Sequence, residues 1–201
     1  MRALSALLLL TSTFLFSSPA WACACCAFEG ERLLFEEPIE SEQLGLLKLL
    51  APTKARLFMT AAGPDAVRGI PEPQEAYSVA TELTGDRWTW RFGDGDRSGK
   101  LTLTLPPQQE VFAVDLPDSE ESEAGGPLLY REIRLTGTLA GDGMFAQGLE
   151  QPARYQLVLQ GYGNNCLQPA DLRQWRLQVS GETAEFAFYG PMEAAVTSEE
   201  K

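Results

Sequence analysis

Arg87-Trp88-Thr89-Trp90-Arg91-Phe92 alternates polar and aromatic side chains without a fault. A period of two fits a pleated strand, whose side chains point to opposite faces in turn. It does not fit a helix, where one face recurs every third or fourth residue. The pattern returns along the chain. Residues 100–105 (KLTLTL) and 173–179 alternate as well, and 185–189 is short and aromatic. Residues 128–139 and 154–160 read as longer strands, and 55–60, 77–83 and 110–114 complete a set of about nine. Each has an apolar face opposite one of Thr, Arg, Gln or Glu, the pattern of a sheet with one wet side. Connections are short and built of Gly, Pro and Asp. These features predict an all-β domain, either an antiparallel barrel of lipocalin-like size or a sandwich.

One short N-terminal helix is expected at residues 41–50. Ser41 can cap it, Glu42 sits in the first turn, and leucines fall at 44, 47 and 50. Gly45 weakens that segment and Pro52 ends it.

The first 22 residues read as a secretory signal. Arg2 supplies a basic start, residues 4–16 are mostly apolar, and Ala20-Trp21-Ala22 offers the small residues a signal peptidase needs. The apolar run is too short to remain as a membrane span. The expected organisation is a signal at 1–22, a Cys-rich segment at 23–40, one β domain at 41–196 and a polar tail at 197–201. The expected location is a periplasm or the outside. Cleavage leaves roughly 180 residues, enough for one domain with a full core.

Composition narrows function. The chain of 201 residues carries a formal net charge of −12, and the signal contributes only Arg2 to it. Such a surface repels phosphate backbones and anionic membranes, which argues against nucleic acid as a partner. The absence of histidine removes Ser-His-Asp and Cys-His catalysis and the common zinc sites. Carboxylates remain, so a hydrolase working with carboxylates alone is an alternative, but no pair stands out from the acidic background.

Cys23-Ala24-Cys25-Cys26 puts three thiols in four residues, and the fourth, Cys166, lies far along the chain. In an exported protein thiols oxidise, and adjacent cysteines rarely bond each other. The expectation is a bridge from Cys25 or Cys26 to Cys166. The competing use is a soft-metal site in which Cys23, Cys25, Cys26 and Cys166 bind copper or zinc as thiolates. A lipid anchor on Cys23 or Cys25 is a third use, although no leucine stands three residues ahead of either.

Asp94, Asp96 and Ser98 have the alternate spacing of calcium ligands, with Gly99 in a turn position. The twelfth residue of such a loop is Leu105 where a bidentate Glu belongs, so a glycine-rich hairpin explains the segment better. Asn164 and Asn165, in the turn before Cys166, could present amides to a ligand. Trp88, Trp90 and Trp175 are expected in the core, and would line a cavity if the barrel is open enough to hold a small molecule. The mature chain also resembles exported bacterial proteins that begin with Cys-x-Cys-Cys and carry a Gly-x-Gly-Asn-x-Cys turn. Here those are Cys23 to Cys26 and Gly161 to Cys166. The resemblance implies that the two cysteine regions belong together and implies no chemistry. The leading expectation for function is non-enzymatic: binding of a small apolar ligand or an envelope protein, with no cofactor required.

Overall fold

The computed structural model describes residues 30–59, 63, 66–116, 128–163 and 168–194. Eleven strands and one eight-residue helix are seen among them. In chain order these are β1 (Arg32–Pro38), α1 (Ser41–Lys48), β2 (Leu50–Pro52), β3 (Lys54–Leu57), β4 (Ala76–Thr84), β5 (Arg87–Gly93) and β6 (Ser98–Thr104). Then follow β7 (Gln108–Val114), β8 (Leu129–Gly143), β9 (Ala153–Gly163), β10 (Leu172–Gly181) and β11 (Glu185–Ala194). Every pairing is antiparallel.

Eight of these strands close into a barrel. The order around the wall is β3-β4-β5-β6-β8-β9-β10-β11, and β11 returns to β3 through Phe188↔Leu57 and Tyr189↔Arg56. The choice between barrel and sandwich is thus settled for the barrel. β7 is missing from the wall because the chain leaves β6 through Pro106-Pro107. Proline has no N–H to give a ladder, so pairing stops there. β7 then turns outward and pairs with the first half of β8, from Glu110↔Arg134 to Val114↔Tyr130. β6 pairs with the second half of the same edge, from Leu103↔Leu139 to Gly99↔Gly143. β9 runs along the opposite edge from Leu129↔Gly163 to Leu139↔Ala153. The fifteen-residue β8 therefore serves two structures. Its second half is barrel wall. Its first half, with β9, β7 and β1, forms a four-stranded wing that projects from the wall.

Gly137 marks the fork. A Cβ there would lie 2.6 Å from the Thr104 carbonyl oxygen and 2.9 Å from the Tyr155 ring. The Tyr155 hydroxyl donates to that same carbonyl at 2.9 Å. The backbone of β8 can cross the end of β6 this closely only without a side chain.

The period-two segments deliver what alternation predicts. Trp88, Trp90 and Phe92 turn inward from β5, Leu101 and Leu103 from β6, Trp175 and Leu177 from β10, and Phe186 and Phe188 from β11. Trp90 meets Trp175 edge-on at 4.8 Å between centroids, and Phe92 stacks on Phe188 at 4.7 Å. Phe145, in the turn after β8, closes against Phe92 and Phe186. Fully burying one such aromatic contributes roughly 1.5–3 kcal/mol, so this cluster and the buried leucines around it together stabilise the barrel. α1 adds Leu47 to the core, with Leu44 and Leu46 packed beside it.

Three local expectations are corrected. The helix is capped by Glu40, whose N–H donates to the Gln43 side chain at 3.2 Å, and not by Ser41. It stops at Lys48, and Leu50 belongs to β2, which pairs with Met192 to Ala194. β1 is absent from the expected strands. Its Leu33-Leu34-Phe35 run lacks alternation because this edge strand has no fully buried face. The signal at 1–22, the tail at 197–201 and all four cysteines lie outside the described residues.

Candidate functional site

The wing has two unlike faces. One carries Val111, Ala113, Leu129 and Ile133, all buried. The other faces outward, and strand register arranges it in rows. Leu34, Phe112, Glu132 and Gln160 form one row across β1, β7, β8 and β9. The row on one side runs Arg32, Val114, Tyr130, Tyr162, and the row on the other runs Glu36, Glu110, Arg134, Val158.

Glu132 is the hub. Its Oε1 accepts from the Tyr130 hydroxyl at 2.6 Å and from Gln160 Nε2 at 3.1 Å. Its Oε2 accepts from Arg134 Nε at 2.7 Å and Nη2 at 2.6 Å. Arg134 reaches on through Nη1 to Glu110 Oε1 at 2.7 Å, and its guanidinium lies 5.5 Å from the centre of the Phe112 ring. Gln160 also donates to the Tyr130 oxygen at 2.9 Å. The rings follow the same order, with Tyr130 edge-on to Tyr162 at 5.5 Å and to Phe112 at 6.4 Å.

The electrostatics follow from these bonds. Burial pushes the Glu132 carboxyl up, but the donors Tyr130, Arg134 and Gln160 together outweigh it and hold the group below the usual carboxylate range. Burial, then the adjacent Glu132, raise the Tyr130 phenol. Hydrogen bonds to Glu132 and Glu110 raise Arg134 further. All three groups therefore keep their ordinary protonation at neutral pH. A carboxylate saturated by four donations and kept ionised is a poor general acid. The array suits a rigid recognition surface better than proton transfer.

At the root of the wing is an open polar cleft of about 270 Å³ between Pro106-Pro107 and the barrel wall, lined by Glu36, Glu110, Arg134, Thr136 and Gln156.

Trp88, Trp90 and Trp175 are all buried in the barrel interior, where they pack on one another and on Phe92. None of them lines the cleft at the wing, nor the surface clefts around Ile70, Val67 and Met144. Asp94, Asp96 and Ser98 lie on the β5–β6 hairpin. Asp94 Oδ1 accepts the N–H groups of Arg97 at 2.9 Å and Asp96 at 3.3 Å, and Oδ2 accepts Arg97 Nε at 3.0 Å and Nη2 at 2.6 Å. The Arg97 N–H, with the guanidinium behind it, holds the Asp94 carboxyl below its usual range. Arg97 also donates to the Pro71 and Glu72 carbonyls, tying the hairpin to the loop before β4. The loop thus carries its own cation at the position a metal would take. Among the described residues no group of three or more Cys, Asp or Glu converges as metal ligands. Cys23, Cys25, Cys26, Cys166, Asn164 and Asn165 lie outside the described residues.

Sequence reasoning missed Tyr130, Glu132 and Arg134. The signal was present as the polar face of the longest strand, where every second residue is an aromatic or a charge. Comparison with known proteins finds no matching family model, no matching curated protein and no matching solved structure.

Proposed function

We propose that this chain is a non-enzymatic binding protein of the cell envelope, and that it recognises a protein partner through the outer face of the wing. The observation that carries the reading is the filled barrel. Trp88, Trp90, Trp175, Phe92 and Phe188 occupy the space a small apolar ligand would need. Binding is therefore assigned to the outside. The wing offers Phe112, Tyr130, Tyr162 and Arg134 on one surface, the residue types that anchor protein interfaces, with the exposed Leu34 beside them. The Glu132 network holds the aromatic and guanidinium groups in place before any partner arrives, which lowers the entropy lost on binding.

The compartment rests on the sequence. The signal at 1–22 directs export, and an oxidising location favours the bridge from Cys25 or Cys26 to Cys166. Intact mass with and without reduction reads the cleavage site, the bridge and any lipid on Cys23 or Cys25 together.

The partner reading is tested by cross-linking in intact cells followed by purification under denaturing conditions. The wild type should give a discrete adduct, and Arg134→Glu, which reverses charge at the centre of the face, should lose it. Identical adducts from both would contradict the reading. Saturable, stoichiometric quenching of tryptophan by an apolar fluorescent probe would restore the small-ligand alternative.

A further inference from the structure

The open edge of the wing is β1. It ends the strand order, and among the described residues nothing pairs with its outer side. Its two central apolar residues are exposed, Leu34 at 61% and Phe35 at 43%. Proteins usually blunt such an edge with charge or proline, because its unused backbone groups template pairing. Here the charges are arranged in a self-complementary way.

The direction of the unused groups follows from the ladder. Ile39 N–H donates to the Pro107 carbonyl at 3.0 Å, in the register that also pairs Phe35 with Val111 and Leu33 with Ala113. In an antiparallel pair, residues that exchange hydrogen bonds alternate with residues that do not. Odd positions of β1 therefore point their N–H and C=O groups at β7. Even positions, Arg32, Leu34 and Glu36, point theirs outward. Pro38, next in that series, has no N–H to offer.

We propose that β1 pairs with β1 of a second copy of this chain, antiparallel and two-fold symmetric about Leu34. In that register Leu34 faces Leu34 of the other copy, and Arg32 of each copy faces Glu36 of the other. All three outward N–H groups find carbonyls, and Pro38 falls beyond the ladder. Arg32 and Glu36 are exposed, and neither has an ion pair among the described residues. Directly opposed charges of unlike sign support antiparallel pairs, and like signs oppose them. On the other face, Leu33 meets Phe35 of the second copy. Centring one residue further along, on Phe35, would set Leu34 against Glu36 and Arg32 against Pro38, losing both ion pairs and a donor. The Leu34 register is thus the better of the two.

A two-fold axis perpendicular to the sheet keeps both outer faces on the same side. The result is a continuous eight-stranded sheet in which the two Glu132 networks stand five strand spacings apart, about 24 Å. A partner with two sites would meet them together. Dimerisation itself does not depend on the partner assigned to the outer face, because mass measures one and cross-linking the other.

Charge reversal tests the register. Sedimentation velocity at about 0.15 M salt screens the general repulsion between two acidic chains. The wild type should sediment as a reversible dimer as concentration rises into the micromolar range. Arg32→Glu alone and Glu36→Arg alone should each weaken association by about tenfold or more, since each places two like pairs in the interface. An equimolar mixture of the two variants should recover the dimer. In the mixed pair, both carboxylates of the first variant face the two guanidinium groups of the second across the axis. Recovery in the mixture also shows that both variants are folded. A wild type that stays monomeric at about 100 µM, or variants that dimerise as well as the wild type, would overturn the proposal. So would a mixture that stays monomeric while both variants keep the wild-type circular dichroism.

Discussion

The barrel interior and the wing are built from the same sheet, and they spend their side chains differently. Inside the barrel every second residue meets other apolar residues from the facing walls. Aromatic rings fill the space, and only a few polar contacts reach them, such as Trp175 Nε1 donating to the Pro191 carbonyl at 3.0 Å and the Tyr155 hydroxyl to that of Thr104 at 2.9 Å. The wing has no facing wall on its outer side. There the second residues are Tyr130, Glu132 and Arg134, and hydrogen bonds take the place of packing. A closed sheet buries its inward face by closure alone. A sheet that splits off must organise its exposed face with polar geometry or leave it for another molecule. Here it does both, with the network on the face and, among the described residues, an unpaired strand at the edge.

The largest expected effect lies in the interior. Trp90→Ala removes a ring with essentially no exposure, packed on Trp88, Phe92 and Trp175. It should cost about 3–5 kcal/mol in urea unfolding, by lost burial plus the cavity left behind. A loss under about 1 kcal/mol would mean that the interior is loosely filled, and would reopen the small-ligand alternative.

A smaller effect is expected in the wing. Glu132→Ala leaves Arg134, Tyr130 and Gln160 without their shared acceptor and should cost about 2 kcal/mol, the range for hydrogen bonds to a charged group. It should not disturb the tryptophan emission of the barrel. The same residue sets a pH dependence. Its folded carboxyl lies below the unfolded value, so its stabilisation is complete above the ordinary carboxylate range and is lost as pH falls through the depressed folded value. Melting temperature between about pH 7 and pH 3 should therefore fall less steeply for Glu132→Gln than for the wild type. Parallel curves would show that the network does not titrate with folding.

The β5–β6 hairpin should respond least. Asp94→Ala removes the acceptor that holds Arg97 over residues 71–72, and should lower the melting temperature by less than Glu132→Ala does. Calcium should leave the melting temperature of the wild type unchanged, because Arg97 and the backbone N–H groups already occupy both Asp94 oxygens. A rise with calcium, abolished by Asp94→Ala with Asp96→Ala, would show that the ion displaces Arg97.

Much of the barrel is legible because burial imposes a period. Residues 87–92 and 173–179 can hide Trp88, Trp90 and Trp175 only as strands, and the expected strands rest on that ground. β1 and β2 are not legible. β2 is three residues long and exists only because β11 reaches it. β1 has Leu and Phe on consecutive positions because an edge strand of an open wing buries neither face completely. The fork at Gly137 is also hidden, since the Thr104 carbonyl that excludes a side chain is distant in sequence. The outer-face network lies in plain view as Tyr130-x-Glu132-x-Arg134. It looks like an ordinary wet face, and only the register with Glu110 and Gln160 turns alternate polar residues into one connected group.

In the proposed function the barrel is a filled support, and the outer face of the wing makes the contact with other molecules. A photo-activatable phenylalanine analogue placed at single positions separates the two regions. One position is Tyr162, 41% exposed on the outer face of the wing, and the other is Glu82, exposed on β4 across the barrel. Illuminated in intact cells, the Tyr162 position should give an adduct with a second protein and the Glu82 position none. An adduct from Glu82 with none from Tyr162 would put the contact on the barrel and not on the wing.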